Sequence, residues 1–171
     1  MCSGLIRISM LNNMAHTLLI PIDFKVESLK SLKLVLNDNT HQKLNVVLVY
    51  AEKSSGSITD MLFYSPSKRV SELCSDIFIE ALSMIKNRYD SVIGELRIEI
   101  FSGTTVGALK NFIDAHRVDE IVSPSNYELE MPSRAFDVRP LFKGVSTPIK
   151  NVSWQNQKSL SVHEQLIALF N

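Results

Sequence analysis

The chain has 171 residues, of which 45% are hydrophobic and 21% are charged, a composition typical of one globular domain with its own core. Lys and Arg number 18, as do Asp and Glu, so the formal net charge at pH 7 is zero. This balance argues against nucleic acid and against an anionic membrane as partners. The two cysteines, Cys2 and Cys74, form neither a Cys-x-x-Cys pair nor a disulfide framework, which favours a cytoplasmic location.

The expected organisation is a single domain over residues 1–171. Its core covers about residues 16–152, preceded by a leader at 1–13 and followed by a C-terminal helix within 158–171. The leader lacks the basic start, the long apolar centre and the cleavage site of a signal peptide. No apolar run reaches the ~20 residues that cross a bilayer, so we expect no contact with a membrane.

Five segments of the chain have the patterns of β-strands. TLLIPID (17–23) and LNVVLVY (44–50) are continuous apolar runs, as in strands that are buried on both faces. ELRIEIF (95–101) alternates polar and apolar residues, which predicts a strand at an edge of the sheet. VDEIVS (118–123) predicts a fourth strand, and STPIKNVSW (146–154) predicts a weaker fifth one.

Helical spacing of apolar residues lies between these strands. The predicted helices cover 26–38, 68–93, a segment from Ser102 or Thr104 to His116, a short stretch from Arg134 to Phe142, and Val162 to Phe170. Residues 52–67 are the longest connection, and the apolar cluster at 61–63 predicts that this segment is a packed flap. Regular alternation of strand and helix predicts an α/β fold in which helices cover both faces of a parallel sheet, joined by right-handed crossovers.

Three stretches resemble the universal stress protein family. TLLIPIDFKVESLKSLKLVL is similar to that family's opening, in which an apolar strand ends in Pro-x-Asp before a helix. IEIFSGTTVGALKNFIDAHRVDEIV resembles its strand, glycine and helix before Asp-x-Ile-Val, and STPIKNV resembles its closing strand. The resemblance covers about residues 16–152. It implies a doubly wound five-stranded sheet of order 3-2-1-4-5, dimers formed through the last strand, ATP binding in some members, and a regulatory role.

In a sheet of that order the direction of winding reverses between strands 1 and 4, which opens a crevice at their carboxyl ends. A ligand in this crevice would meet side chains from strand 1, strand 2 and the loop after strand 4. The predicted lining consists of Pro21, Asp23, Phe24, Val49, Ser123, Ser125 and Asn126.

The phosphate-binding motif of the ATP-binding relatives is absent from this crevice. That motif is Gly-x-x-Gly followed about nine residues later by Gly-Ser or Gly-Thr, and here Pro124 and Tyr127 occupy the two glycine positions. Proline has no amide to donate, and tyrosine fills space that a glycine leaves open to phosphate oxygens. Glu128, Glu130 and Asp137 add negative charge, so binding of a triphosphate in the family manner is not expected.

Two functions from different classes remain open. The first is a non-catalytic regulatory module that acts through self-association, as a homodimer, or through a protein partner. The second is binding of an adenine nucleotide (ATP or AMP) or another small metabolite in the crevice. Asp23 is consistent with both, because it could contact such a ligand or cap the first helix. We find no catalytic constellation and no metal site, and the C-terminal helix is expected to modify or replace the family's dimer contact.

Overall fold

The computed structural model describes residues 15–39, 43–154 and 161–170, so the predicted leader at 1–13 lies outside the described residues. The strands are β1 (His16–Pro21), β2 (Leu44–Ala51), β3 (Ile93–Phe101), β4 (Glu120–Pro124) and β5 (Ile149–Val152). The helices are α1 (Lys30–Asp38), α2 (Ile58–Leu62), α3 (Pro66–Leu73), α4 (Asp76–Arg88), α5 (Val106–His116), α6 (Arg139–Phe142) and α7 (Val162–Phe170), and a 3-10 turn (Val26–Leu29) precedes α1.

The five strands form one parallel sheet of order β3-β2-β1-β4-β5, which confirms the predicted fold class and strand order. Strand β1 lies at the centre because its residues are apolar on both faces, with Leu18, Leu19 and Ile20 at most 1% exposed. Strand β3 is at one edge, as its alternating pattern predicts, and β5 is at the other. The carboxyl ends of β1 and β4 therefore adjoin at the point where the winding reverses.

Side chains that alternate along the strands fill two cores, one on each face of the sheet. Leu18, Val46 and Phe78 belong to the core beneath α1, α4 and α7. Leu19, Val47 and Leu109 belong to the core beneath α5 and α6. Among the described residues, no helix is long and apolar enough to cross a membrane.

The prediction of one long helix over 68–93 is wrong, because α3 and α4 are separated at Cys74 and Ser75. Ser75 is extended, and its hydroxyl accepts a hydrogen bond from the amide of Phe78 at 3.3 Å. Serine competes for backbone amides in this way, so it starts a second helix where the apolar spacing alone predicts continuation. The thiol of Cys74 contacts the core, and burial raises its pKa.

The short helix predicted from Arg134 to Phe142 is also wrong in extent, since α6 covers only the last four residues of that range. Ala135 instead forms an antiparallel bridge with Glu52, and the amide of Phe136 donates to the carbonyl of Ala51 at 3.0 Å. This segment therefore crosses the carboxyl end of β2 before α6 begins.

The flap, residues 52–67, does not pack as predicted. Its helix α2 presents Ile58 and Leu62 to solvent, and Phe63 follows directly, with exposed fractions of 77%, 76% and 81%. Apolar residues in a short segment do not specify a buried face, because five helical residues give little more than one turn. The C-terminal helix α7 does pack on its own domain: Leu166 and Leu169 lie in the core and the helix adjoins the 3-10 turn.

Candidate functional site

The carboxylate of Asp23 lies at the carboxyl end of β1, is only 6% exposed, and accepts three hydrogen bonds. One oxygen accepts a hydrogen bond from the amide of Lys25 at 3.0 Å, which closes a turn just before the 3-10 helix. The other oxygen accepts the hydroxyl of Tyr127 at 2.7 Å and the amide of Glu130 at 2.9 Å. Neither the 3-10 turn nor α1 has a side-chain N-cap, so the interpretation of Asp23 as the cap of the first helix is wrong. The groups that meet its second oxygen belong to the chain itself.

Tyr127 places its ring over the crevice. The phenol pKa is raised, first because the group is removed from solvent and second because the neighbouring Asp23 carboxylate disfavours a phenolate. The protonated phenol is therefore a donor to the carboxylate at all ordinary pH values. On its other side the Tyr127 ring contacts the ring of Trp154, with centroids 5.6 Å apart, and the Trp154 indole N–H donates to Glu27 at 2.9 Å.

The loop that carries Tyr127 is attached to β5 on one side. The amide and the hydroxyl of Ser125 both donate to the carbonyl of Val152, at 2.9 Å and 3.2 Å. The side-chain amide of Asn126 exchanges hydrogen bonds with the backbone of Trp154. These side chains therefore continue the pairing between β4 and β5 beyond the end of the strands.

Arg139, the first residue of α6, holds the loop after β4 through its guanidinium group. One guanidinium nitrogen donates to the carbonyls of Pro124 at 3.1 Å and Tyr127 at 2.7 Å. The remaining nitrogens pair with both oxygens of Asp137, at 2.6–2.9 Å. The charge of Asp137 is consequently balanced within the chain, and Arg139 has its donors directed at the loop and at Asp137.

The seven predicted lining residues lie near the carboxyl ends of β1, β2 and β4. Pro21, Asp23, Phe24, Val49 and Ser123 are buried, whereas Ser125 and Asn126 are exposed and bonded to β5. Phe24 has a positive φ of 62°, which is uncommon for a residue with a side chain, and its ring packs against Tyr50 and Phe78. Whether these residues bind a ligand remains a prediction.

Sequence reasoning missed the groups that close the crevice. The sequence predicts Tyr127 only as bulk at a glycine position, and it does not indicate the roles of the Glu130 amide or the Arg139 guanidinium. The sequence shows Asp23 after one apolar strand and Tyr127 after another. Only the adjacency of β1 and β4 in the sheet brings the carboxylate and the phenol together.

A second polar cluster lies at the carboxyl ends of β2 and β3. Glu52 is 5% exposed and forms a two-point ion pair with Arg69 of α3, at 2.7 Å and 2.9 Å. Hydrogen bonding to Glu52 raises the pKa of Arg69, which stays charged. A cavity of about 150 Å³ adjoins this pair, with Tyr64, Ser102 and Arg134 among its lining. In the part of the chain that the structure describes, no three His, Cys, Asp or Glu side chains are grouped as a metal site would require.

Comparisons with known proteins give structural matches only: no family model and no curated protein matches the sequence. Hypothetical protein MJ0577 is 16% identical with a TM-score of 0.51, over 84% of this chain and 99% of that one. Universal stress protein UspA from Lactobacillus plantarum is 12% identical with a TM-score of 0.48, over 82% and 97%. A universal stress protein in complex with cAMP is 16% identical with a TM-score of 0.44, over 80% and 96%. At 16% identity the likeness to MJ0577 concerns the fold alone: the chain shares a doubly wound α/β fold with that protein.

Proposed function

We propose that this protein is a non-catalytic regulatory module of the universal stress protein type, which acts through self-association or a protein partner. The observation that carries the proposal is the occupied carboxylate of Asp23. Its second oxygen accepts hydrogen bonds from Tyr127 and Glu130, so the crevice between β1 and β4 is filled by the loop after β4. Neither of the two cavities described for the surface is lined by these residues.

The chemistry of the loop also opposes a triphosphate. Pro124 has no amide to offer, and the amide of Glu130 already donates to Asp23. The guanidinium of Arg139 uses its donors on two carbonyls and on Asp137, and the ammonium of Lys25 lies 3.3 Å from the carboxylate of Glu130. A phosphate chain would therefore have to break existing hydrogen bonds, and each buried group left unpaired costs about 1–3 kcal/mol.

Native mass spectrometry of protein purified without added nucleotide tests the proposal directly. We expect masses at integer multiples of the chain mass, with no small molecule retained. A retained adenine nucleotide would overturn the proposal. Calorimetric titration with ATP and AMP provides the quantitative check, and a Tyr127→Gly variant is the matched comparison because it removes the side chain that fills the crevice.

The second candidate is binding of an uncharged metabolite such as adenosine in the same crevice. It is favoured by the position of Asp23, a buried carboxylate at the point where the winding reverses. A ribose hydroxyl could take over the hydrogen bond that the Tyr127 phenol now donates, if the loop moved outward. Adenosine binding by the native protein that is lost in Asp23→Ala would support this candidate, and equal binding by both would exclude it.

The proposal includes a cytoplasmic location, which the cysteine pattern favours and which fractionation of cells would test. It also includes a homodimer, whose existence light scattering coupled to gel filtration would establish. A strictly monomeric protein that captures no partner would contradict the proposed mode of action.

A further inference from the structure

Strand β3 has the features of a strand that pairs with a second copy of this chain. It is nine residues long and forms one edge of the sheet, where it pairs only with β2 among the described strands. The opposite edge, β5, has only four residues. An edge strand presents unpaired N–H and C=O groups along its length, so the longer edge offers the more extensive template.

The side chains of β3 differ between its two faces. Glu95, Arg97 and Glu99 alternate in sign along one face, and Arg97 lies 3.5 Å from Glu95. Leu96 and Ile98 lie on the other face and are only partly buried against the core. A row of like charges would repel a second copy, whereas alternating charges attract one at the appropriate register.

A groove runs along the apolar face of this edge. It has a volume of about 470 Å³ between α3, α4 and β3, and its apolar lining includes Val70, Leu82, Leu96 and Ile98. The helices therefore leave part of the apolar face of β3 uncovered. A neighbouring strand with apolar residues in the same phase would extend the sheet beneath this groove.

We propose that two copies of the chain pair antiparallel through β3 about a twofold axis at Ile98. In this register Leu96 lies opposite Ile100 of the second copy, and Arg97 lies opposite Glu99, each contact occurring twice. Paired residues in an antiparallel ladder point to the same face, so Leu96 meets Ile100 and Arg97 meets Glu99, while Glu95 lies opposite Phe101. The interface is isologous, as in most homodimers. This inference rests on the proposed mode of action through self-association.

Neighbouring registers are less favourable. With the axis at Arg97, Leu96 meets Ile98, but Arg97 faces its own copy and Glu95 faces Glu99, so all the charged contacts join like charges. With the axis at Leu96, Arg97 meets Glu95 favourably, but Gly94 lies opposite Ile98 and fewer apolar contacts form. Of these three registers, the one centred on Ile98 joins Arg97 to Glu99 and also pairs Leu96 with Ile100 and Ile98 with its own copy.

Sedimentation of single and double charge variants over a wide dilution series tests this arrangement. Because the twofold axis doubles each change, Arg97→Glu and Glu99→Arg should each weaken dimerisation by roughly tenfold or more. The combined variant R97E/E99R restores opposite charges and should recover the native dimer. Circular dichroism of each single variant checks that it folds.

Two comparisons complete the test. The variant E95R/R97E should remain weakened, since it restores attraction only in the register centred on Leu96. Ile149→Glu, on the exposed edge of β5, should leave the dimer unchanged. A dimer that Ile149→Glu disrupts and the β3 variants do not would overturn this inference while leaving self-association intact. Failure of R97E/E99R to recover the native dimer would also overturn it, and a native protein that is monomeric throughout would count against the proposed function itself.

Discussion

Replacing Tyr127 by phenylalanine removes one oxygen and tests whether the crevice is closed by a hydrogen bond that stabilises the fold. The bond is 2.7 Å long and its acceptor, the Asp23 carboxylate, is 6% exposed. Hydrogen bonds to charged groups contribute roughly 1.5–3 kcal/mol, so the free energy of unfolding should fall by about that amount. For a chain of this size the corresponding decrease in Tm is roughly 3–12 °C.

Urea unfolding followed by circular dichroism measures the effect, and Tyr89→Phe is the matched control. The hydroxyl of Tyr89 donates to Asn37 in an exposed position, where a substitution changes stability by less than about 0.5 kcal/mol. If Tyr127→Phe were as stable as the Tyr89 variant, the hydrogen bond to Asp23 would not hold the loop in place.

Three further predictions concern the ion pair, the C-terminal helix and the response to pH. Glu52→Gln should destabilise the protein by about 1–3 kcal/mol, less than for a fully buried pair because Arg69 is 30% exposed; urea unfolding measures it. Leu169→Ala should cost about 2–5 kcal/mol, because this 0% exposed side chain leaves a cavity in the core, whereas Ile167→Ala, at 51% exposure, should cost under about 1 kcal/mol. The pKa of Tyr127 is raised in the folded protein, so it contributes stability that is fully present below the ordinary phenol pKa of about 10 and is lost as pH rises above it. The native protein should therefore lose more stability between neutral and strongly alkaline pH than Tyr127→Phe does.

Each of these predictions has an outcome that would contradict it. The carboxylate of Glu72 is exposed and lies 3.3 Å from Arg69. Equal stability of Glu52→Gln and Glu72→Gln would mean that the buried pair of Glu52 and Arg69 stabilises the fold no more than the exposed one. Equal effects of the two alanine variants in α7 would mean that this helix does not pack through Leu169. Parallel loss of stability in the native protein and in Tyr127→Phe at alkaline pH would place the titrating group elsewhere.

Much of the fold could be predicted because its signals are local. Continuous apolar runs at 17–23 and 44–50 indicate central strands, and the alternation at 95–101 places β3 at an edge. Helix boundaries were harder to predict, because a single serine hydroxyl at Ser75 outweighs an apolar stripe that continues past it. The prediction that the flap is packed is wrong because apolar residues in a short segment do not show whether the fold offers a surface to cover them, and here Ile58, Leu62 and Phe63 are exposed.

Residue type and short-range spacing are enough to predict the alternation of strands and helices, the apolar character of the central strands and the absence of a Gly-x-x-Gly motif after β4. The contacts that this loop makes instead depend on the assembled sheet. Asp23 and Tyr127 are 104 residues apart, and they meet because β1 and β4 are neighbours at the reversal of winding. A hydrogen bond across that distance has no periodic signature in the chain, since it depends on the whole sheet being assembled first.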